Sequence, residues 1–147
     1  MTIVLASDHA GYQLKEAIKE HLDDLGIATL DKGPFDEQSV DYPDFGAAVA
    51  REVAEGRVPM GILCCGSGIG MAMVANRFPG VRAVQCVDTD TARMARKHNN
   101  ANILTLGGRR TAKHFAFEIV DVFLNTNFDG GRHERRIEKI DKMTRMP

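Results

Sequence analysis

The sequence predicts an α/β fold, a parallel β-sheet with helices on both faces. Short β-branched or apolar runs alternate along the chain with longer segments whose apolar residues recur at helical spacing. The first of these runs is apolar almost throughout, as a strand buried on both faces requires. Glycine or proline stands at several junctions, among them Gly26, Pro43 and Gly56. Five such strands alternating with helices give the parallel sheet.

In chain order, residues 2–6 form the first buried strand. A helix over residues 12–25 follows, with Leu14, Ile18, Leu22 and Leu25 on one face and Gly26 as its stop. Residues 27–30 make the second strand. A loop of glycine, proline and acids over 31–42 leads to Pro43, which suits the first turn of a helix ending at Glu55 and Gly56. Residues 60–64 are a strand, 68–76 a helix, 83–87 a strand, 89–98 a helix and 103–106 the last strand. Residues 111–126 form a helix with Phe115, Ile119, Val122 and Phe123 as its apolar positions. An extra C-terminal helix spans 133–143. It has few apolar residues for a core, so it is expected to dock on another subunit, with disorder as the alternative.

The length of 147 residues fits a single domain, residues 1–147, with a sizeable core. A net charge of −1 gives no reason to expect nucleic acid or a membrane surface as a partner. From Arg109 onward, nine Lys/Arg face six Asp/Glu, so the rest of the chain carries −4. That basic tail suits an acidic small molecule or a neighbouring subunit. There is no apolar run near membrane-spanning length and no signal peptide, so a cytoplasmic location is expected. The three cysteines and five histidines show no CxxC or HxxxH spacing, so no metal is expected.

The stretch Cys64-Cys65-Gly66-Ser67-Gly68-Ile69-Gly70 concentrates the chemistry. A strand ends at a thiol and passes into a loop with glycine at every second position. Missing side chains let backbone N–H groups approach an anion closely. A helix start behind the loop adds partial positive charge. Such a cradle can stabilise a thiolate and hold a developing oxyanion. Adjacent Cys64 and Cys65 face opposite ways on a strand, so one can be buried and the other exposed. Burial as a small apolar residue is the alternative for either.

Ligands in open α/β sheets bind beyond the carboxyl ends of the strands. Ser7-Asp8-His9, residues 65–70, Asp88 and Gly107-Gly108-Arg109 stand there, and His98-Asn99-Asn100 precedes the last strand. The fold is expected to bring several of these together. The structural alternatives are an N-cap at Ser7 or Asp8 and a helix-dipole partner at His98. Arg132 and Arg136, at i and i+4, suit a phosphate clasp or a solvated face, and Arg109 adds a third guanidinium. No Walker phosphate loop or dinucleotide-binding glycine pattern occurs, and Met71 stands where a cysteine phosphatase needs arginine.

Five ordered motifs resemble the type B ribose-5-phosphate isomerases: Ser7-Asp8-His9-Ala10-Gly11, Asp41-Tyr42-Pro43, Cys65 to Gly70, Arg96-Lys97-His98-Asn99 and Gly130-Gly131-Arg132-His133. That family includes galactose-6-phosphate isomerase subunits and allose-6-phosphate isomerases. The resemblance implies a Rossmann-like three-layer fold and metal-independent aldose–ketose isomerisation of a phosphorylated sugar, without cofactor, in the pentose phosphate pathway. It implies a homo-oligomer, dimer or tetramer, whose active sites use both subunits. Cys65 matches the base that moves a proton between C2 and C1, and His98 the residue that opens the ring. Asp8 and His9 match sugar- and phosphate-binding positions, and Tyr42 lies within a matched motif. Gly66, Gly68, Ile69, Gly70 and Asn99 match the segments that hold the enediolate. Arg109, Arg132 and Arg136 match phosphate or substrate contacts. Ser67 stands where some members have threonine and suits a proton relay. Met71 replaces the glutamate of the branch that lacks the cysteine. A hexose-6-phosphate isomerase and a non-catalytic sugar-phosphate-binding protein are the alternatives.

Overall fold

A computed structural model describes residues 1–144. Strands and helices alternate as β1 (Thr2–Ser7), α1 (Tyr12–Asp24), β2 (Ala28–Asp31), α2 (Tyr42–Ala54), β3 (Met60–Cys65), α3 (Ile69–Ala75), β4 (Ala83–Gln85), α4 (Thr89–Asn99), β5 (Ile103–Gly107), α5 (Lys113–Asn125) and α6 (Arg132–Thr144). All five strands are parallel, in the order β2-β1-β3-β5-β4. The fold is a Rossmann-like α/β sandwich. The chain winds outward one way from β1 to β2, and the other way from β3 to β5 and β4. Neighbours β1 and β3 therefore send their following loops in opposite directions, which opens a crevice at their carboxyl ends.

Strand periodicity divides the core. Ile3, Leu5, Ile62, Cys64, Leu104 and Leu106 face one helix layer, with Leu14, Ile18 and Leu22 of α1 and Ile119 and Phe123 of α5. Val4, Ala6, Leu63, Cys65 and Ile103 face the other, with Val49 and Val53 of α2 and Met71 of α3. Cys64 and Cys65 point to opposite faces as expected, but both are buried, at 1% and 5% exposure. Burial pushes the Cys64 thiol well above the ordinary range, and the Cys86 thiol up to about 12.

Two helix faces differ from the apolar stripes expected. Leu25 is exposed, and the buried place on α1 goes to Lys15. Its Nζ donates to both carboxylate oxygens of Asp31 at 2.9 Å and to Pro34 O at 2.7 Å. The rings of Tyr12 and Phe35 lie within 5.4 Å of the ammonium, so its charge is compensated on every side. On α5, Phe115 is exposed, and Ala116, Ile119, Val120 and Phe123 form the buried stripe. Strand β4 stops at Gln85, two residues early, and leaves Val87 exposed.

The loop after β2 is anchored by charge as well. Glu52 on α2 bonds Arg57 Nε at 2.8 Å and meets Lys32 Nζ at 3.0 Å. Arg57, then Lys32, hold its carboxyl down at about 2. Among the described residues, no helix is long and apolar enough to cross a membrane.

Candidate active site

The crevice at the carboxyl ends of β1 and β3 holds a cavity of about 500 Å³. Asp8, Tyr42, Cys65, Gly66, Ser67, Ile69, Gly70 and Arg109 line it, with Met73 and Arg110, which the motifs did not single out. Met73 was legible as i+4 from Ile69 on one helix face; it and Ile69 are both exposed at the rim.

Backbone hydrogen bonds fix the thiol and its loop. Gly108 N donates to Cys65 O at 2.7 Å, and Arg109 N to Gly66 O at 3.1 Å, so the β5 turn grips the glycine loop. Thr105 Oγ1 donates to Gly68 O at 2.7 Å, and Gln85 Nε2 to Ser67 O at 2.9 Å. Gly68 has φ +82°, a left-handed conformation that favours glycine. That turn aims its N–H back at Cys65 Sγ, 3.1 Å away. A hydrogen bond of this kind is strongest when the sulfur carries charge.

The loop amides therefore divide. Gly68 N is engaged by the thiol and Ile69 N by Ser67 Oγ at 3.2 Å. Gly68 thus sits behind the sulfur rather than in the cavity wall, and the cradle facing a ligand is built on Gly66, Ser67 and Gly70. Ser67 Oγ accepts a bond there and keeps its own proton to donate. Tyr42 covers Gly70 so closely that an added Cβ would lie 2.7 Å from two ring carbons.

Across the crevice, Asp8 is buried and its Oδ1 accepts from Gly11 N at 2.9 Å, which ties it to the start of α1. His9 stands beside the cavity, not in its wall. Its Nδ1 accepts from Val40 N at 3.2 Å, which assigns the ring proton of the neutral form to Nε2.

His98 and Asn99 lie at the other edge of the sheet, so they are not among the predicted residues that the fold brings together at the crevice. Parallel β4 and β5 force α4 to run back, so its C-terminus ends where the strands begin. Asn102 N donates to Arg82 O just before β4, and Gly61 N at the start of β3 donates to Asn102 O. Asn100 ends α4 with φ +46°, and its Oδ1 accepts from Arg96 Nη1, a structural role.

A second cluster forms at that edge. Asp129 N donates to Lys97 O at 3.0 Å and docks the turn before α6 against α4. The His133 ring stacks on His98 with centroids 4.3 Å apart and an interplanar angle of 13°. Desolvation, then His98 and Arg132, hold the His133 imidazole below its ordinary value. Ligand atoms of His98, Asp129 and His133 lie within 4.8 Å of one another. Arg132 and Arg136 sit on α6 beside them, both exposed. One chain thus carries a thiol-lined cavity and a histidine–arginine cluster at opposite edges of one sheet.

The ribose/galactose isomerase family model matches residues 3–140. The ribose-5-phosphate isomerase B of Escherichia coli is 41% identical over 138 residues, 94% of this chain and 93% of that one. The solved ribose 5-phosphate isomerase of Thermotoga maritima superposes with a TM-score of 0.94 at 52% identity, covering 96% of this chain and 97% of its own. The ribose-5-phosphate isomerase B of Mycoplasma genitalium, solved with bound ribulose-5-phosphate, gives 0.92 at 44% identity over 97% and 95% of the two chains. With a match over nearly its whole length and relatives this close, the chain belongs to the ribose/galactose isomerase family.

Proposed function

We propose that this protein interconverts ribose 5-phosphate and ribulose 5-phosphate through an enediolate, as a cytoplasmic homo-oligomer whose pockets combine residues of two copies. The observation that carries the reading is Cys65 in the wall of a cavity large enough for a sugar phosphate, with the Gly68 N–H aimed at its Sγ from behind over 3.1 Å. The ribulose-5-phosphate held by the M. genitalium relative supports the substrate.

The chemistry follows from the residue types. Pentose phosphates close into rings that hide the carbonyl. His98 of a second copy takes the proton of the anomeric hydroxyl and returns one to the ring oxygen, which opens the chain. The Cys65 thiolate then removes the C2 proton. The C–H electron pair becomes the C1–C2 double bond, and charge moves to O1. Amides of Gly66, Ser67 and Gly70 stabilise that oxyanion in place, each worth about 10²–10³ in rate. Ser67 relays a proton from O2 to O1, and the Cys65 S–H delivers its proton to C1. Asp8, Tyr42 and the second copy's Asn99 hold the sugar hydroxyls. His9, Arg109 and the second copy's Arg132 and Arg136 hold the phosphate and so orient the reacting end. No step requires a metal or cofactor.

A coupled assay offering ribose 5-phosphate, allose 6-phosphate and galactose 6-phosphate tests the reading. Turnover led by ribose 5-phosphate is expected. Preference for either hexose phosphate reassigns the substrate, and binding without turnover of any would make this a sugar-phosphate-binding protein.

A further inference from the structure

We propose that His98, Asp129 and His133 form a site for a zinc-type divalent cation, and that filling it stops turnover by capturing the His98 imidazole. The site is the cluster that lies outside the thiol cavity. Two imidazoles and a carboxylate are a donor set suited to zinc and to the harder first-row metals. Their ligand atoms lie within 4.8 Å of one another. A tetrahedral zinc with bonds of about 2.0–2.2 Å needs its donors about 3.3–3.6 Å apart. The side chains are half-exposed or exposed, which leaves χ1 and χ2 free to turn and narrow that gap. The fourth position stays open to water.

The three donors come from two segments locked together. Asp129 and His133 flank Gly130 and Gly131, both left-handed, with φ +68° and +58°. That double turn folds the chain back, so a carboxylate and an imidazole four residues apart reach one point. The bond from Asp129 N to Lys97 O fixes the turn against the last residues of α4. Stacking keeps the His98 and His133 rings close, and binding one ion requires them to turn out of that stack so that a nitrogen of each converges on it. Nearby Arg132 and Arg136 disfavour a cation and weaken the expected affinity. A metal bond uses the same nitrogen lone pair that His98 needs as a base, so metal and ring opening exclude each other. Binding itself stands on the geometry alone. The loss of turnover rests on the role given to His98 above.

The full chain, stripped with chelator, is titrated with zinc by calorimetry and with cobalt(II) by absorption. Expected are a single ion per chain and cobalt d–d bands without thiolate charge transfer. Asp129→Asn and His133→Ala should each weaken binding at least about tenfold. Cys65→Ser should bind as the parent does. Equal affinity in the Asp129 and His133 variants, a thiolate band, or no binding at millimolar zinc would overturn the site. Zinc should also stop turnover of ribose 5-phosphate, reversibly with chelator, with Asp129→Asn needing about tenfold more metal. Metal bound at the cluster with turnover unaffected would overturn the inhibition. A metal-free protein that turns over no sugar phosphate would instead overturn the isomerase reading, with the binding data still deciding the site.

Discussion

Mixing a Cys65→Ala chain with a His98→Ala chain tests whether each pocket is built from two copies. Cys65 ends β3 at the carboxyl edge of the sheet, and His98 belongs to the last turn of α4 at the amino edge. The six residues of β3 alone span about 20 Å, beyond the reach of any side chain. In a two-fold dimer, each pocket pairs Cys65 of one copy with His98 of the other. Either mutant homodimer then has two defective pockets. A hybrid has one pocket lacking both groups and one intact. Equal random mixing makes about half of the dimers hybrids, so activity should return to about a quarter of wild type. Refolding the two chains together, with native mass spectrometry to count hybrids, gives the measurement. Hybrids that form but show no more activity than their parents would refute the shared pocket.

Gly68→Ala should cost about 1–3 kcal/mol in urea unfolding, because φ is +82° and the new Cβ would lie 3.0 Å from the Leu106 backbone. Its kcat should fall by at least about 10², since displacing the loop moves the oxyanion donors; unchanged stability and kcat would contradict the account of the loop. Glu52→Gln should destabilise the fold at neutral pH. The carboxyl sits at about 2 when folded, below the ordinary range of a glutamate, so its stabilising effect is complete above the unfolded value and lost as pH falls through the folded one. The wild-type and mutant stability curves should therefore converge in acid; a constant gap down to pH 2 would count against the Arg57 and Lys32 partnership. Arg132→Ala and Arg136→Ala should mainly raise KM for ribose 5-phosphate, and unaltered kinetics would return both to a solvated face.

Much of the fold was legible because its signals are local. Apolar strands, helical stripes and terminal glycines located every element to within a few residues. The loop from Cys65 to Gly70 was legible too, since a thiol beside alternating glycines has few structural uses. The sequence places His98 just before β5 without saying at which edge of the sheet it stands. A helix joining two parallel strands must return to their starting edge, so chain direction held the answer. Lys15 was unreadable for another reason. Its compensating partners, Asp31 and Pro34, arrive from the end of the next strand and the loop beyond it. The cluster at Asp129 and His133 escaped because a spacing test within one segment does not see His98. Phe115 misled because exposure on α5 depends on which face meets the sheet, not on the size of the ring.

In the proposed reaction, Cys65 moves the proton between C2 and C1. The most direct measurement follows the Cys65→Ala protein in deuterium oxide by NMR, with ribose 5-phosphate present. Isomerisation and C2-proton exchange should both disappear while the melting transition stays close to that of the parent. Exchange or turnover at the parent rate would show that another group is the base.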